Sequence, residues 1–122
     1  MAYFFKHIVG VPYSKAKTSG RVDGLTEWTK AVVEQTQTLP RVREACILKV
    51  TFLLPPDKFP DDLPYGSDLD NLLKRFLDAL NQTVFSETHG GDSCVISMHV
   101  TKTRVNSYEE SGAILEVLPV KL

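Results

Sequence analysis

The chain has 122 residues, of which 43% are hydrophobic and 24% are charged. This length predicts one domain spanning residues 1–122, and the composition excludes a disordered or fibrous protein. The formal net charge of −1 gives no general attraction to nucleic acid, so any DNA binding would depend on local clusters of charge. No apolar run is long enough to span a membrane and the N terminus lacks a secretory pattern, so we expect a cytoplasmic protein.

The first half of the chain predicts two strands separated by a helix. Residues 3–9 form a short apolar run, which ends at a Gly-Val-Pro turn and is followed by a basic loop over residues 13–21. Apolar residues then recur at helical spacing over residues 25–38, up to the helix-stopping Pro40. Residues 44–54 are rich in Ile, Val, Phe and Leu and predict a mostly buried strand.

The second half predicts a loop, a second helix and two more strands. Four prolines and a glycine prevent regular structure over residues 55–67. From Asp70 to Val84, apolar side chains fall on one face of an amphipathic helix, which Asp70 can cap. Residues 93–102 alternate between polar and apolar and predict a strand, and residues 113–120 predict the last one. The order β-α-β-α-β-β predicts an α+β fold in a single domain, with a mixed four-stranded sheet and two helices packed on it.

The two cysteines do not form a recognisable metal or redox motif. Cys46 and Cys94 lie in apolar, strand-like runs and lack the C-x-x-C spacing of a zinc site or a redox pair. Cysteine in such surroundings is usually a buried free thiol. We therefore expect two free thiols.

Two carboxylates stand two positions apart before the second helix. Asp68 and Asp70 project from the same side if the chain is still extended there, and they could then share one cation. Inside a helix they would be about 200° apart, so a shared site requires the helix to begin at Asp70 or later. Lys74 lies one turn further on, where its charge suits phosphodiester hydrolysis because negative charge builds up on phosphate in that reaction. Hard oxygen ligands with room for water favour Mg²⁺ over zinc.

The same residues also have a purely structural interpretation. An Asp before a leucine-rich helix is commonly only a cap, and a Lys four residues after an Asp only a surface ion pair. An EF-hand loop is excluded, because Leu73 and Ala79 occupy the positions that need a glycine and a bidentate glutamate. A phosphatase of the haloacid dehalogenase type is excluded as well, since its Asp-x-Asp follows an apolar strand in a larger domain. Spacing alone leaves the structural and the catalytic interpretations open.

A longer pattern around these residues resembles a known family. The string D-L-D-N-L-L-K over residues 68–74 continues through L-D-A-L-N over residues 77–81, and it is similar to the signature of RusA-type Holliday junction resolvases. In that family an aspartate at the start of a valine-rich strand follows shortly, and Asp92 matches it. The basic loop after the first strand and the order of elements are also similar. The resemblance spans nearly the whole chain, and its specific part is the motif over residues 68–81.

The resemblance implies a Mg²⁺-dependent endodeoxyribonuclease of DNA recombination and repair, with Mn²⁺ as a substitute. It implies a homodimer that nicks opposing strands of a four-way junction, and two symmetric cuts need two copies of the site. The implied partner is branched DNA, with no membrane and no small-molecule cofactor. The implied location is the cytoplasm, in association with the nucleoid.

The resemblance also assigns roles to individual residues. It implies that three aspartates are catalytic metal ligands, namely Asp68, Asp70 and Asp92. It implies that Lys74 positions the phosphate or stabilises the transition state, and that Asn71 supports the metal ligands. Basic residues would hold backbone phosphates without reading sequence, which predicts salt-sensitive binding to DNA structure. The basic residues assigned to DNA are Lys15, Lys17, Arg21, Lys74 and Arg75.

The chain departs from the family pattern just before the last acid. Gly91 stands where many members carry a second aspartate, and the loop over residues 87–90 is longer than usual, which calls one metal contact into question. His89 in that loop is interpreted as an exposed side chain, or else as a compensating ligand or base. Two further hypotheses therefore stay open. One is a branched-DNA-binding protein of the same fold with weakened catalysis, and the other is a structural or partner-binding domain with a solvated acidic loop.

Overall fold

Four strands form one sheet in the computed structural model, which describes residues 3–14 and 23–122. In chain order they are β1 (Phe4–Val9), β2 (Cys46–Leu54), β3 (Val95–Arg104) and β4 (Gly112–Pro119). The sheet order is β1-β4-β2-β3, in which β4 runs antiparallel to both of its neighbours and β2 runs parallel to β3. The sheet is therefore mixed, as predicted, and β1 and β3 are its edges.

Two helices cover one face of this sheet. They are α1 (Asp23–Thr36) and α2 (Leu69–Leu80). Every second side chain of β2 is buried in the core that the helices share with the sheet. Trp28 of α1 and Phe76 of α2 stack with their ring centroids 6.1 Å apart, and Phe76 meets Phe52 of β2 edge to face. The predicted α+β fold with two helices on a mixed sheet is confirmed, and no helix within the described ranges is long and apolar enough to cross a membrane.

The boundaries of α2 differ from the predicted ones by a few residues. The helix begins at Leu69 with Asp68 as its N-cap, not at Asp70, and it ends at Leu80, not near Val84. Beyond its end the chain tightens into turns, in which most amides donate to carbonyls three residues back. Val84 is nevertheless fully buried, because this turn also packs into the core. The apolar period therefore continued past the helix, and periodicity alone could not locate its end.

The third strand begins later than predicted and lies at an edge of the sheet. A short 3₁₀ turn, Gly91–Cys94, precedes it, and most of the side chains of β3 are exposed. Because β2 and β3 are parallel neighbours, α2 has to carry the chain from the end of β2 back to the level where β2 began. This crossover places Asp92, which lies in the turn before β3, beside the C-terminal end of α2.

Both cysteines are free thiols, as expected. Cys46 is buried at the start of β2, whereas Cys94 is half-buried. Burial raises the pKa of the Cys46 thiol to about 12, and the neighbouring Cys94 is a second cause of the rise. Cys46 is therefore protonated at neutral pH and a poor nucleophile.

Candidate metal-binding and DNA-binding site

The first turn of α2 presents two exposed aspartates. Asp68 is the N-cap and has an extended backbone (φ −70°, ψ 134°), and its carbonyl oxygen accepts a hydrogen bond from the Leu72 amide at 3.0 Å. Asp70 lies inside the first turn, where its Oδ1 accepts a hydrogen bond from the Asn71 amide at 3.0 Å. The prediction that Asp70 caps the helix is wrong, because Asp68 already holds that position. One aspartate is extended and the other helical, so strand alternation does not align their carboxylates.

The two aspartates line different clefts. Asp68 lines a cleft of about 510 Å³, which we call the N-terminal cleft. The other residues of the N-terminal cleft are Ser14, Asp57, Lys58, Gly66, Ser67 and Asn71. Asp70 lines a cleft of about 350 Å³ along α2, which we call the helix cleft. The other residues of the helix cleft are Leu73, Lys74, Leu77, Asp78 and Asp92.

The last of the three predicted metal ligands lies at the opposite end of α2 from the first two. The Asp92 carboxylate accepts a hydrogen bond from Asn81 Nδ2 at 2.9 Å, and Asn81 is the C-cap of α2. Asn81 follows Asp70 by eleven residues, which corresponds to a rise of about 16 Å along a helix. Within residues 3–14 and 23–122, no three His, Cys, Asp or Glu side chains are gathered closely enough to hold one metal ion. The structure thus brings Asp70 and Asp92 to a common cleft but does not gather them with Asp68.

Asn81 is the residue that sequence reasoning did not assign to the site. Its Nδ2 holds Asp92, while its Oδ1 is buried and has no hydrogen-bond partner in the described part of the chain. Gly91 approaches the same amide with φ +59°, and a Cβ atom added there would lie 2.9 Å from Asn81 Oδ1. An aspartate at position 91 would therefore be strained and would crowd Asn81. In the helical pattern of the sequence, Asn81 falls on the same polar side as Asp70 and Lys74. This position was the signal that could have assigned it to the site.

Two basic residues of β3 hold the loop that leads to Asp68. Lys102 Nζ donates hydrogen bonds to the carbonyl oxygens of Tyr65 and Ser67, both at 2.8 Å. Arg104 Nε donates to the carbonyl oxygen of Phe59 at 2.6 Å, and Lys102 also lies over the Phe59 ring, 4.9 Å from its centroid. Ser67 directly precedes Asp68, so Lys102 fixes the backbone from which Asp68 emerges. In the alternating pattern of β3, Lys102 falls on the side of the apolar residues that face the core. A lysine at such a position was the sequence signal that it holds a neighbouring segment.

The backbone of this loop requires a glycine two residues before Asp68. Gly66 has φ +80°, and a Cβ atom there would lie 1.9 Å from the carbonyl oxygen of Lys58. Tyr65 beside it also has a positive φ of 62°, a conformation that few non-glycine residues adopt. Such a backbone persists only where its surroundings hold it, and the Lys102 hydrogen bonds supply that restraint. The loop is therefore a fixed wall of the N-terminal cleft.

The basic residues assigned to DNA fall into three groups. Lys15, Lys17 and Arg21 lie outside the described residues. Lys74 is exposed and lines the helix cleft, whereas Arg75 is half-buried and lines neither of the two clefts. Lys58 lines the N-terminal cleft, and sequence reasoning did not single it out. Each of the two clefts is thus bordered by a described lysine, Lys58 in one and Lys74 in the other.

The donor atoms of the helix cleft are suited to a hydrated magnesium ion. Asp70, Asp78 and Asp92 offer only hard carboxylate oxygens, and Lys74 offers a positive charge among them. Mg²⁺ commonly keeps several waters and takes one or two protein carboxylates together with substrate phosphate, so it does not need three gathered aspartates. His89 is exposed and lines neither cleft. Neither a protein-family model nor a curated protein sequence matches the chain.

Proposed function

We propose that the chain is a Mg²⁺-dependent, structure-specific endodeoxyribonuclease that resolves Holliday junctions by paired symmetric nicks in DNA recombination and repair. The observation that carries the proposal is the helix cleft, where Lys74 stands among the carboxylates of Asp70, Asp78 and Asp92. Three of these residues belong to the part of the chain that resembles the resolvase signature, and Asp92 matches the family's last acid. The dimer, the cytoplasmic and nucleoid-associated location, and Mn²⁺ as a substitute belong to the same proposal.

The residues of the helix cleft divide the chemistry between them. Asp70 and Asp92 lie toward opposite ends of the helix cleft, so each would offer its carboxylate to a hydrated Mg²⁺ rather than share one ion. When bound, the metal would polarise a phosphodiester oxygen and lower the pKa of a bound water. The Lys74 ammonium binds the scissile phosphate and offsets the negative charge that builds up on it. Asn81 holds the Asp92 carboxylate in one orientation through its Nδ2 donor. A hydrogen-bonded neighbour of this kind commonly changes metal affinity or activity by about 10- to 100-fold when removed.

Binding to DNA would depend on local charge, since the net charge is only −1. Lys58 borders the N-terminal cleft and Lys74 the helix cleft, and the cations of residues 15–21 add to the charge of the chain. Contacts of this type are made to phosphates and carry no sequence information. We therefore expect binding that follows the shape of the DNA and weakens steeply with salt.

A second candidate function is a branched-DNA-binding protein of this fold with weakened catalysis. Two observations favour it. Asp68 stands in a different cleft from Asp92, and a further acid at position 91 would be strained by the positive φ and would crowd Asn81. Such a protein would bind junctions through the same cations without efficient hydrolysis.

The two candidates are separated by nicking of a synthetic four-way junction with and without Mg²⁺. The nuclease predicts that Asp70→Asn and Asp92→Asn each lower the nicking rate by at least about 100-fold while junction binding in EDTA stays unchanged. Asp62→Asn is the matched control, because Asp62 is an exposed loop aspartate that lines neither cleft. Asp68→Asn has the smaller effect if the helix cleft is the reaction site. Tight binding without Mg²⁺-dependent nicking establishes the second candidate, and full activity of Asp70→Asn and Asp92→Asn rules out the site.

A further inference from the structure

No described residue covers the face of the sheet opposite the helices. This face is apolar over much of β1, β4 and β2, whereas β3 contributes the polar residues Ser97, His99, Thr101 and Thr103. We call it the open face. Its apolar members come from three adjacent strands and are Phe5, Val9, Ile47, Leu53, Ile114 and Leu118. Phe5, Val9 and Leu118 are 59%, 53% and 46% exposed. An antiparallel sheet normally turns a polar face to water, so a face with this composition indicates a protein-binding surface.

One pair of opposite charges lies in the middle of the open face. Lys49 of β2 and Glu116 of β4 are partners in the sheet register, and Lys49 Nζ lies 3.8 Å from Glu116 Oε2. Tyr3 donates a hydrogen bond to Glu116 Oε1 at 2.8 Å, so that carboxylate is held in place. The face therefore carries a positive and a negative group side by side at one level along the strands. Phe5 of β1 lies beyond Glu116, and His99 of β3 lies beyond Lys49.

We propose that the open face binds the open face of a second copy of this chain, about a two-fold axis that runs parallel to the strands between β2 and β4. Such an axis exchanges left and right but keeps the level along the strands, so β2 faces β4 of the other copy. Lys49 then lies opposite Glu116 of the partner subunit, and the reverse pair forms as well. A two-fold axis across the strands would instead set Lys49 against Lys49, which costs free energy. Charge complementarity thus selects both the occupant and the axis.

The size of the open face is adequate for such a dimer. Four strands about 4.8 Å apart, covered over seven residues of about 3.4 Å rise, form a face of roughly 19 Å by 24 Å. Two such faces amount to about 900 Å² in flat projection, and the relief of the side chains raises this toward the ~1,200 Å² at which stable interfaces begin. Sheets packed in this way lie about 10 Å apart with aligned strands.

This inference deepens the proposed function, since it rests on the proposed homodimer and locates its interface. An axis parallel to the strands leaves both α2 helices on the outside of the dimer. It also sets the two helix clefts at the same level along the axis, on opposite outer faces of the dimer. Paired nicks in a two-fold junction need two sites arranged by two-fold symmetry.

The first test is the mass of the free protein in sedimentation equilibrium, without DNA or metal. We expect a dimer at about 10 µM, and Leu118→Glu to raise the dimer Kd by at least about 30-fold. The matched control is Leu63→Glu, because Leu63 is 77% exposed but lies in the loop before α2, away from the open face. Thermal unfolding by circular dichroism confirms that each variant is folded. A monomeric wild type, or a Leu118→Glu variant as dimeric as the control, overturns the inference.

The second test checks the axis by exchanging charges. Lys49→Glu and Glu116→Lys each place like charges opposite one another and should weaken the dimer, whereas the double exchange should restore it. If the variant with both exchanges is folded but does not dimerise, the axis parallel to the strands is refuted. The mass is measured without substrate, so the two proposals can fail separately. A dimer that does not nick DNA supports the interface and overturns the nuclease. A monomer that nicks DNA supports the nuclease and overturns the interface.

Discussion

Replacing Lys102 with methionine should loosen the loop before Asp68 while leaving the sheet intact. Lys102 Nζ makes two hydrogen bonds of 2.8 Å to carbonyl oxygens of that loop and lies over the Phe59 ring. Hydrogen bonds to a charged group contribute about 1.5–3 kcal/mol each, and the cation–π contact about 0.5 kcal/mol. Water can solvate the released carbonyls at this partly exposed site, so we take a net loss of about 2 kcal/mol. Methionine keeps the unbranched, apolar part of the side chain and removes the terminal ammonium group with its charge and donors.

Hydrogen exchange can detect this change locally. The Tyr65 amide donates to Asp62 O at 2.8 Å and the Ser67 amide to Lys58 O at 3.3 Å, so both report whether the loop is closed. A loss of about 2 kcal/mol corresponds to roughly 30-fold faster exchange at these amides. Amides of β2 and β4 should keep the exchange rates of the wild type in Lys102→Met, because the loop can open without unfolding the core.

Lys30→Met is the control for this experiment. Lys30 pairs with Glu34 one turn along α1, but the two side chains are 73% and 63% exposed and 3.9 Å apart. An exposed pair of this kind contributes at most about 0.5 kcal/mol. If the Tyr65 and Ser67 amides exchange no faster in Lys102→Met than in Lys30→Met, then Lys102 does not hold the loop.

Two further predictions concern the core. Thr36 Oγ1 and Thr83 Oγ1 are buried and 2.7 Å apart, so Thr36→Val alone should lower the free energy of unfolding by about 1–3 kcal/mol. Adding Thr83→Val should recover part of this loss, because it removes the hydroxyl that was left unpaired. Strictly additive losses in urea unfolding would contradict this prediction. Burial raises the pKa of Cys46 from 9.0 to about 12, so above pH 9 the folded protein keeps a proton that the unfolded chain loses, and stability falls as pH rises from 9 toward 12. Urea unfolding at pH 8 and pH 10 should show a shallower fall for Cys46→Ala, and identical slopes would disprove this cause.

The sequence determined the architecture because apolar periodicity is a local property. The buried run of β2 and the leucine face of α2 were recognisable from spacing alone, and the structure confirms the four strands, the two helices and the mixed sheet. The boundaries were less certain. An aspartate at position 68 or at position 70 can cap the helix equally well by local rules, and Val84 is buried in a turn that keeps the helical period.

Part of the candidate site was also readable from the sequence. Asp70 and Lys74 lie one helical turn apart, so they share a side of α2 wherever the helix packs. Their separation is fixed by the helix itself, and the structure places them in the same cleft. Their roles in metal and phosphate binding remain predictions.

Only the tertiary structure decided which residues join them. The parallel pairing of β2 with β3 forces α2 to return the chain to the start of β2, so Asp92 meets Asn81 at the C-terminal end of the helix instead of Asp68 at its beginning. The same pairing brings Lys102 from far along the chain to the loop before Asp68. These contacts depend on which strands are neighbours, and strand order is set by packing across the whole sheet rather than by any local pattern of residues.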